Sequence, residues 1–161
     1  MDEIIKNYVK ELRRIESTGI STEMSYYCPL KVLIDKTSMK YLEKDVISVI
    51  EAKSQEFGKP DITVLDNERR PIGYIEAKKI GENLTKKKGT IKDYCDNIDN
   101  LIFTNFYDFI LYDKKIITKK ASVMNCPTII SNTTDNVIKL LIMFLSNSKD
   151  TQTKDFIYYE S

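Results

Sequence analysis

Hydrophobic residues recur at helical spacing near the start of the chain. Between positions 4 and 15 the apolar side chains fall on one helical face, and Lys, Arg and Glu fill the opposite face. Ser21 or Thr22 can then cap a second helix that carries Glu23 in its first turn, and Pro29 is compatible only with the start of that helix. The pattern therefore predicts two helices before the first strand.

Short runs rich in Val, Ile and aromatic residues follow, and they are typical of strands. The predicted strands are residues 45–52, 62–65, 72–79, 101–104, 109–113 and 115–118. Helical spacing returns at residues 90–98 and 134–145. This order predicts an α/β fold with a central mixed sheet flanked by helices.

The pattern indicates one domain, spanning residues 1–146. Residues 147–161 are expected to form a polar tail or the start of a linker, although residues 156–159 are apolar enough to dock on the body. No apolar run is long enough to cross a bilayer, and the N-terminus lacks the pattern of a secretory signal. A cytoplasmic protein without a membrane anchor is expected.

The composition of the chain limits which catalytic groups and binding surfaces it can have. The chain of 161 residues has no histidine, and its net charge is only +1, so a binding surface for nucleic acid would have to be local. Cys28, Cys95 and Cys126 are widely separated, which disfavours a zinc site or a disulfide framework. Catalysis would have to depend on carboxylates, lysine and a hard cation.

Candidate chemistry lies on two predicted neighbouring strands. Because side chains alternate along a strand, Glu76 and Lys78 share one face. A hairpin symmetric about Glu68 and Arg69 would place Asp61 directly opposite Glu76. Two carboxylates and one ammonium group would then converge.

Adjacent carboxylates repel each other unless a cation lies between them or one of them is protonated. A hard divalent cation that prefers oxygen ligands, Mg²⁺ with Mn²⁺ as a substitute, resolves this repulsion. Asp61 and Glu76 are the expected metal ligands, together with the backbone carbonyl of Ala77. Lys78 would orient a water molecule or stabilise a negatively charged transition state.

The chain contains a second copy of the same tripeptide, Glu51-Ala52-Lys53. A lone Glu-x-Lys is most often a solvated surface pair that contributes little to stability. Only the copy at Glu76 is preceded by Pro60-Asp61 at hairpin distance, so the functional site is predicted there. Glu51 and Lys53 are interpreted as residues at the end of a strand, and an assisting role of Glu51 at the edge of the site is the alternative.

Pro60-Asp61 followed by Glu76-Ala77-Lys78 resembles the signature of the PD-(D/E)xK nuclease superfamily. Residues 22–27, 58–61, 73–78 and 100–105, with Phe109 and Tyr112, look like the N-terminal nuclease domain of single-polypeptide type I restriction enzymes and related enzymes that join nuclease and methyltransferase. The resemblance implies a restriction-endonuclease-like fold and Mg²⁺-dependent hydrolysis of double-stranded DNA to a 3′ hydroxyl and a 5′ phosphate. It also implies helicase and methyltransferase domains on the parent chain.

The resemblance further implies roles for single residues. Asp61 and Glu76 would hold Mg²⁺, Lys78 would serve the attacking water, and Glu23 would act as an additional acid. An acid that interacts only with the helix dipole is the alternative for Glu23. Tyr94 matches a family tyrosine, but Thr90 stands where the family has glutamine, and a packed aromatic ring is the favoured interpretation of Tyr94.

Lysines near the predicted site are candidates for contacts with DNA phosphates: Lys79, Lys86, Lys87, Lys88 and Lys92. A solvated loop is the alternative interpretation. Two other functions stay open beside the restriction nuclease. One is a stand-alone structure-specific nuclease such as a junction resolvase, expected to be a homodimer that prefers branched DNA. The other is a non-catalytic DNA-binding or docking module with the nuclease fold.

Overall fold

The computed structural model describes residues 2–86, 88–124 and 130–147. The predicted tail after position 147 and the segment 156–159 therefore lie outside the described residues, as do Lys87 and Cys126. No helix in the described ranges is long and apolar enough to span a membrane.

Two helices begin the chain, as the hydrophobic pattern predicted. Helix α1 spans Glu3–Glu16, and Asp2 caps it by accepting a hydrogen bond from the amide of Ile4. A one-turn 3-10 helix, Glu23–Tyr26, then leads directly into helix α2, Tyr27–Leu42. Pro29 lies in the first turn of α2, where its missing N–H costs no helical hydrogen bond.

The six strands form a single mixed sheet in sequential order. They are β1 Val46–Ile50, β2 Ile62–Asp66, β3 Pro71–Ala77, β4 Asn100–Thr104, β5 Asp108–Asp113 and β6 Ile116–Ser122. Neighbouring strands are antiparallel except β3 and β4, which are parallel. A parallel pair needs a crossover connection, and helix α3, Lys88–Asn97, supplies it.

Helices cover both faces of this sheet. Helices α1 and α2 pack on one face together with α4, Ile130–Ser146, and enclose the main core around Leu30, Ile62 and Phe144. A smaller core under α3, including Ile91, Leu101 and Phe103, lies on the other face. The predicted α/β architecture with a central mixed sheet between helices is confirmed.

The bounds of two strands differ from the prediction in a way that matters for the site. Strand β1 ends at Ile50, because Glu51 adopts a left-handed backbone conformation with φ 54°. Strand β3 ends at Ala77, so Lys78 is the first residue beyond the strand. The backbone of Lys78 nevertheless continues the pairing with β4, since its amide donates to the carbonyl of Thr104 at 2.9 Å.

The β2–β3 hairpin contains a bulge that sets its register. Next to the turn, Leu65 pairs with Pro71, whereas one position further along Val64 pairs with Gly73, so Ile72 is an extra residue in β3. From there the register runs through the pair Ile62 and Ile75. Continued by one residue, it places Asp61 opposite Glu76.

Candidate active site

Asp61 lies immediately before β2, at the end of the loop that follows β1. Its Oδ2 atom accepts a hydrogen bond from the amide of Ala77 at 2.8 Å. Its own carbonyl accepts one from the amide of Glu51 at 2.8 Å. The carboxylate of Asp61 is thus attached to the end of β3, between Glu76 and Lys78.

Glu76 is a buried acid, with 7% of its surface exposed. Burial raises its pKa to about 8, and the negative charge of Asp61 adds to this effect while Lys78 opposes it. Among the described residues, its Oε1 atom has no hydrogen-bond partner. A buried carboxylate oxygen without a partner is costly, so this atom is suited to bind a group supplied from outside the chain.

Lys78 faces the same carboxylate. Its Nζ atom lies 3.6 Å from Oε2 of Glu76, and 21% of the lysine side chain is exposed. This is a partly buried ion pair, not the solvated pair that a lone Glu-x-Lys most often forms. The ammonium group therefore pairs with Glu76, and part of the lysine side chain remains exposed to solvent.

Glu23 reaches this group from the 3-10 helix. Burial raises its pKa and the charge of Asp61 raises it further, whereas a hydrogen bond from Tyr27 and the charge of Lys78 lower it. Such an interaction requires that Glu23 lie near both Asp61 and Lys78. The structure thus brings together the four side chains that were predicted to act: Glu23, Asp61, Glu76 and Lys78.

Tyr94 completes the inner wall of the site from α3. Its ring is buried, as predicted, and lies against Gly58. Burial raises the pKa of its hydroxyl to about 12, and the charges of Glu76 and Asp61 contribute in the same direction. The hydroxyl end therefore faces the carboxylates, which a packed aromatic ring alone would not require.

Three further residues contribute to the site, and no individual role was predicted for any of them. Tyr27 donates a hydrogen bond to Glu23 Oε1 at 3.2 Å, and its spacing of four residues on a helix was a usable signal. Glu82 raises the pKa of Glu23 through its charge, and Gly58 lets the loop approach Tyr94. Nothing local in the sequence indicates the last two, because their neighbours are distant along the chain.

The side chains of the other candidates are exposed or lie outside the described set. Glu51 pairs with Lys59 at 3.1 Å, so the first Glu-Ala-Lys copy is a strand-end turn, as interpreted. Lys79 and Lys92 are exposed. The side chains of Lys86 and Lys88 lie outside the described set, as does all of Lys87.

The oxygen atoms of this site fit some cations better than others. Within residues 2–86, 88–124 and 130–147, no three acidic, His or Cys side chains form a ready-made metal cage. Two adjacent carboxylates with one unpartnered buried oxygen suit a hard cation that keeps several water ligands. They do not suit zinc, which favours Cys and His ligands.

The six-stranded mixed sheet between helices, taken with the structural similarity described next, is a restriction-endonuclease-like α/β fold. The chain is similar in structure to a protein in a cryo-electron-microscopy structure of a DrdV–DNA complex, with a TM-score of 0.70 and 20% sequence identity. That match covers 89% of this chain and 14% of the other chain. No protein-family model and no curated protein matches the sequence.

Proposed function

We propose that this chain is a Mg²⁺-dependent DNA endonuclease that hydrolyses phosphodiester bonds, and that it is the cleavage module of a larger cytoplasmic restriction-modification enzyme. Double-stranded DNA would be the substrate. The similarity to a chain in a DNA complex supports a role on DNA. The small share of that longer chain, 14%, is consistent with covalently linked helicase or methyltransferase domains.

One observation carries the proposal: Asp61 and Glu76 are neighbouring carboxylates, and Lys78 Nζ lies 3.6 Å from Glu76 Oε2. Placing the half-buried carboxylate of Asp61 beside the buried carboxylate of Glu76 is unfavourable unless a cation lies between them. The raised pKa of Glu76, about 8, expresses that cost. A cation would relieve it, so the arrangement supports binding and catalysis better than a purely structural role.

In this proposal Asp61, Glu76 and the carbonyl of Ala77 would hold Mg²⁺. The amide of Ala77 already points at Asp61. Because the N–H and C=O of one strand residue face the same neighbouring strand, the carbonyl of Ala77 faces that side too. When bound, the cation would polarise the phosphodiester and lower the pKa of a water bound to it.

The chain's own groups would then position the reactants. The ammonium group of Lys78 would orient the attacking water and stabilise the negative charge that develops on the phosphate. Glu23 would accept hydrogen bonds from water beside Asp61. Tyr94 and the α3 core behind it, including Ile91, would exclude water from the inner side of the carboxylates.

The proposal is tested by incubating the protein with Mg²⁺ and plasmid DNA. Asp61→Ala and Lys78→Ala should each lower the cleavage rate by about 100-fold or more, as loss of a group that stabilises the transition state does. Lys53→Ala is the matched control, because Lys53 is the exposed lysine of the other Glu-Ala-Lys copy. Full cleavage by the Asp61→Ala variant would refute the assignment.

The same assay separates the alternative functions. A non-catalytic module would bind the DNA in a gel-shift assay and leave it uncut with every variant. A junction resolvase would cut a four-way junction faster than linear duplex DNA. The restriction nuclease is supported only when linear or supercoiled duplex is cut and the cut depends on Asp61.

A further inference from the structure

Tyr26 and Tyr27 are adjacent tyrosines at the junction of the 3-10 helix and α2, and both are buried. Both rings pack on Phe106, with centroid distances of 5.3 Å for Tyr26 and 6.2 Å for Tyr27. Their hydroxyls differ. The Tyr26 hydroxyl hydrogen-bonds Ser21 Oγ at 2.6 Å, whereas the Tyr27 hydroxyl donates to Glu23 Oε1.

The position of Glu23 needs such a donor. Glu23 is half-buried on a helix of one turn, and the negative charges of Asp61 and Glu82 both act on it. Repulsion of this kind favours rotation of the carboxylate toward solvent. The hydrogen bond from Tyr27 opposes that rotation and favours the charged form of Glu23.

The hydroxyl of Tyr27 is well suited to remain a donor. Burial raises its pKa well above the ordinary value, and the charges of Asp61 and Glu23 act in the same direction. Its ring is anchored on Phe106, so the hydroxyl is presented to the carboxylates from a rigid base.

We propose that Tyr27 is a positioning residue that holds Glu23 near Asp61, so that Glu23 accepts hydrogen bonds from the waters of the divalent cation. This inference rests on the proposed function and deepens it, because it assigns the third acid its place. It also separates the two alternatives for Glu23. If Glu23 interacted only with a helix dipole, its role would not depend on the buried hydroxyl of Tyr27, on which the charge of Asp61 also acts.

The experiment measures Mn²⁺ binding to the full chain by calorimetry, together with thermal unfolding. Tyr27→Phe removes only the hydroxyl and should weaken Mn²⁺ affinity by about tenfold, as is typical for groups that orient a metal ligand. Tyr26→Phe is the matched control, since it loses one hydroxyl hydrogen bond from the same packed pair. It should leave Mn²⁺ affinity unchanged while changing the unfolding temperature by a similar amount.

A second pair of variants shows whether Tyr27 acts through Glu23. In a Glu23→Ala background, Tyr27→Phe should cause no further loss of Mn²⁺ affinity. Equal losses of Mn²⁺ affinity in Tyr26→Phe and Tyr27→Phe would overturn the inference. A tenfold loss of Mn²⁺ affinity that Tyr27→Phe still causes in the Glu23→Ala background would overturn it as well.

Failure of the nuclease proposal would look different. A protein that binds Mn²⁺ with this dependence on Tyr27 but leaves DNA uncut would retain the inference and lose the nuclease. Absence of Mn²⁺ binding to the unaltered protein would overturn both.

Discussion

Asp61 Oδ2 accepts a hydrogen bond from the backbone amide of Ala77 at 2.8 Å. This contact fixes the carboxylate of the Pro-Asp segment to the strand end that carries Glu76 and Lys78. A charged acceptor strengthens such a bond and shortens it. The two acids are therefore held together by the backbone even though their charges repel.

Replacing Asp61 with Asn tests that repulsion. An Asn side chain can still accept from the Ala77 amide, but it removes the charge that contributes to the raised pKa of Glu76. The pKa of Glu76 should fall below about 8 while staying above its ordinary value of 4.5, because burial is the larger cause. A ¹³C-detected NMR titration of the Glu76 carboxyl measures this. An unchanged pKa would show that the two acids do not interact.

The pH dependence of stability follows from the same acid. The folded protein holds the Glu76 proton up to a pKa of about 8, whereas the unfolded chain releases it near 4.5. Between these values the folded state binds more protons, so raising the pH lowers the free energy of unfolding. One such group changes the free energy of unfolding by at most about 1.4 kcal/mol per pH unit. Urea unfolding of the cation-free protein at several pH values between 5 and 8 measures it.

The variant Glu76→Gln separates the contribution of Glu76 to the pH dependence of stability from that of Glu23, whose pKa is also raised. Its stability should decline less between pH 5 and pH 8 than that of the unaltered protein. At pH 8 it should be the more stable of the two, although it should lose cleavage activity. Parallel pH profiles for the two proteins would contradict the assignment of a buried, protonated Glu76.

The alternation of side chains along β3 was enough to predict that Glu76 and Lys78 share a face. The pairing with Asp61 was also predicted, but from an assumed turn symmetric about Glu68 and Arg69. The observed turn is closed by a hydrogen bond from the amide of Asp66 to the carbonyl of Arg70, which centres it on Glu68 alone. The extra residue in β3 restores the expected register next to the site.

Long-range contacts account for what the sequence did not indicate. Tyr94 faces the acids because α3 crosses over the sheet, and Gly58 lies against its ring although the two are far apart along the chain. Glu82 approaches Glu23 only through the fold. Local propensity and strand periodicity depend on neighbours in sequence, so they were enough to predict the β2–β3 hairpin. They could not predict Tyr94, Gly58 and Glu82 around the acids, because those contacts join distant parts of the chain.

The close contact between Gly58 and Tyr94 can be tested with a matched pair of glycines. Gly58 has φ +129°, and a Cβ there would lie 3.1 Å from Cε1 of Tyr94. Gly19 also has a positive φ, +73°, but a Cβ there would meet nothing within 4 Å.

Each Gly→Ala substitution should destabilise the fold by about 1 kcal/mol through backbone strain. Only Gly58→Ala should also slow DNA cleavage, because it displaces Tyr94 and the loop that leads to Asp61. Equal cleavage rates for the two variants would show that this contact has no role in the site. Thermal unfolding and plasmid cleavage provide the two measurements.

Asn100 holds the bulge that sets the register of the acids. Its side-chain amide donates to the carbonyl of the bulged residue Ile72 at 3.0 Å and to the carbonyl of Phe144 at 2.8 Å. Without the bulge, the register beside the turn would continue and place Asp61 opposite Ile75. The two carboxylates would then be on different faces.

Asn100→Asp should destabilise the protein by about 3 kcal/mol or more, since it replaces a buried double donor with a carboxylate facing two carbonyls. Lowering the pH should restore part of that stability, because a protonated Asp regains one donor. Asn97→Asp is the control: Asn97 is exposed and donates to the carbonyl of Asp93 at 2.9 Å, so the same change should cost less than about 1 kcal/mol. If Asn100→Asp unfolds at the same urea concentration as Asn97→Asp, the bulge does not depend on Asn100. The position of Asp61 opposite Glu76 would then have to be set by the loop before β2 alone.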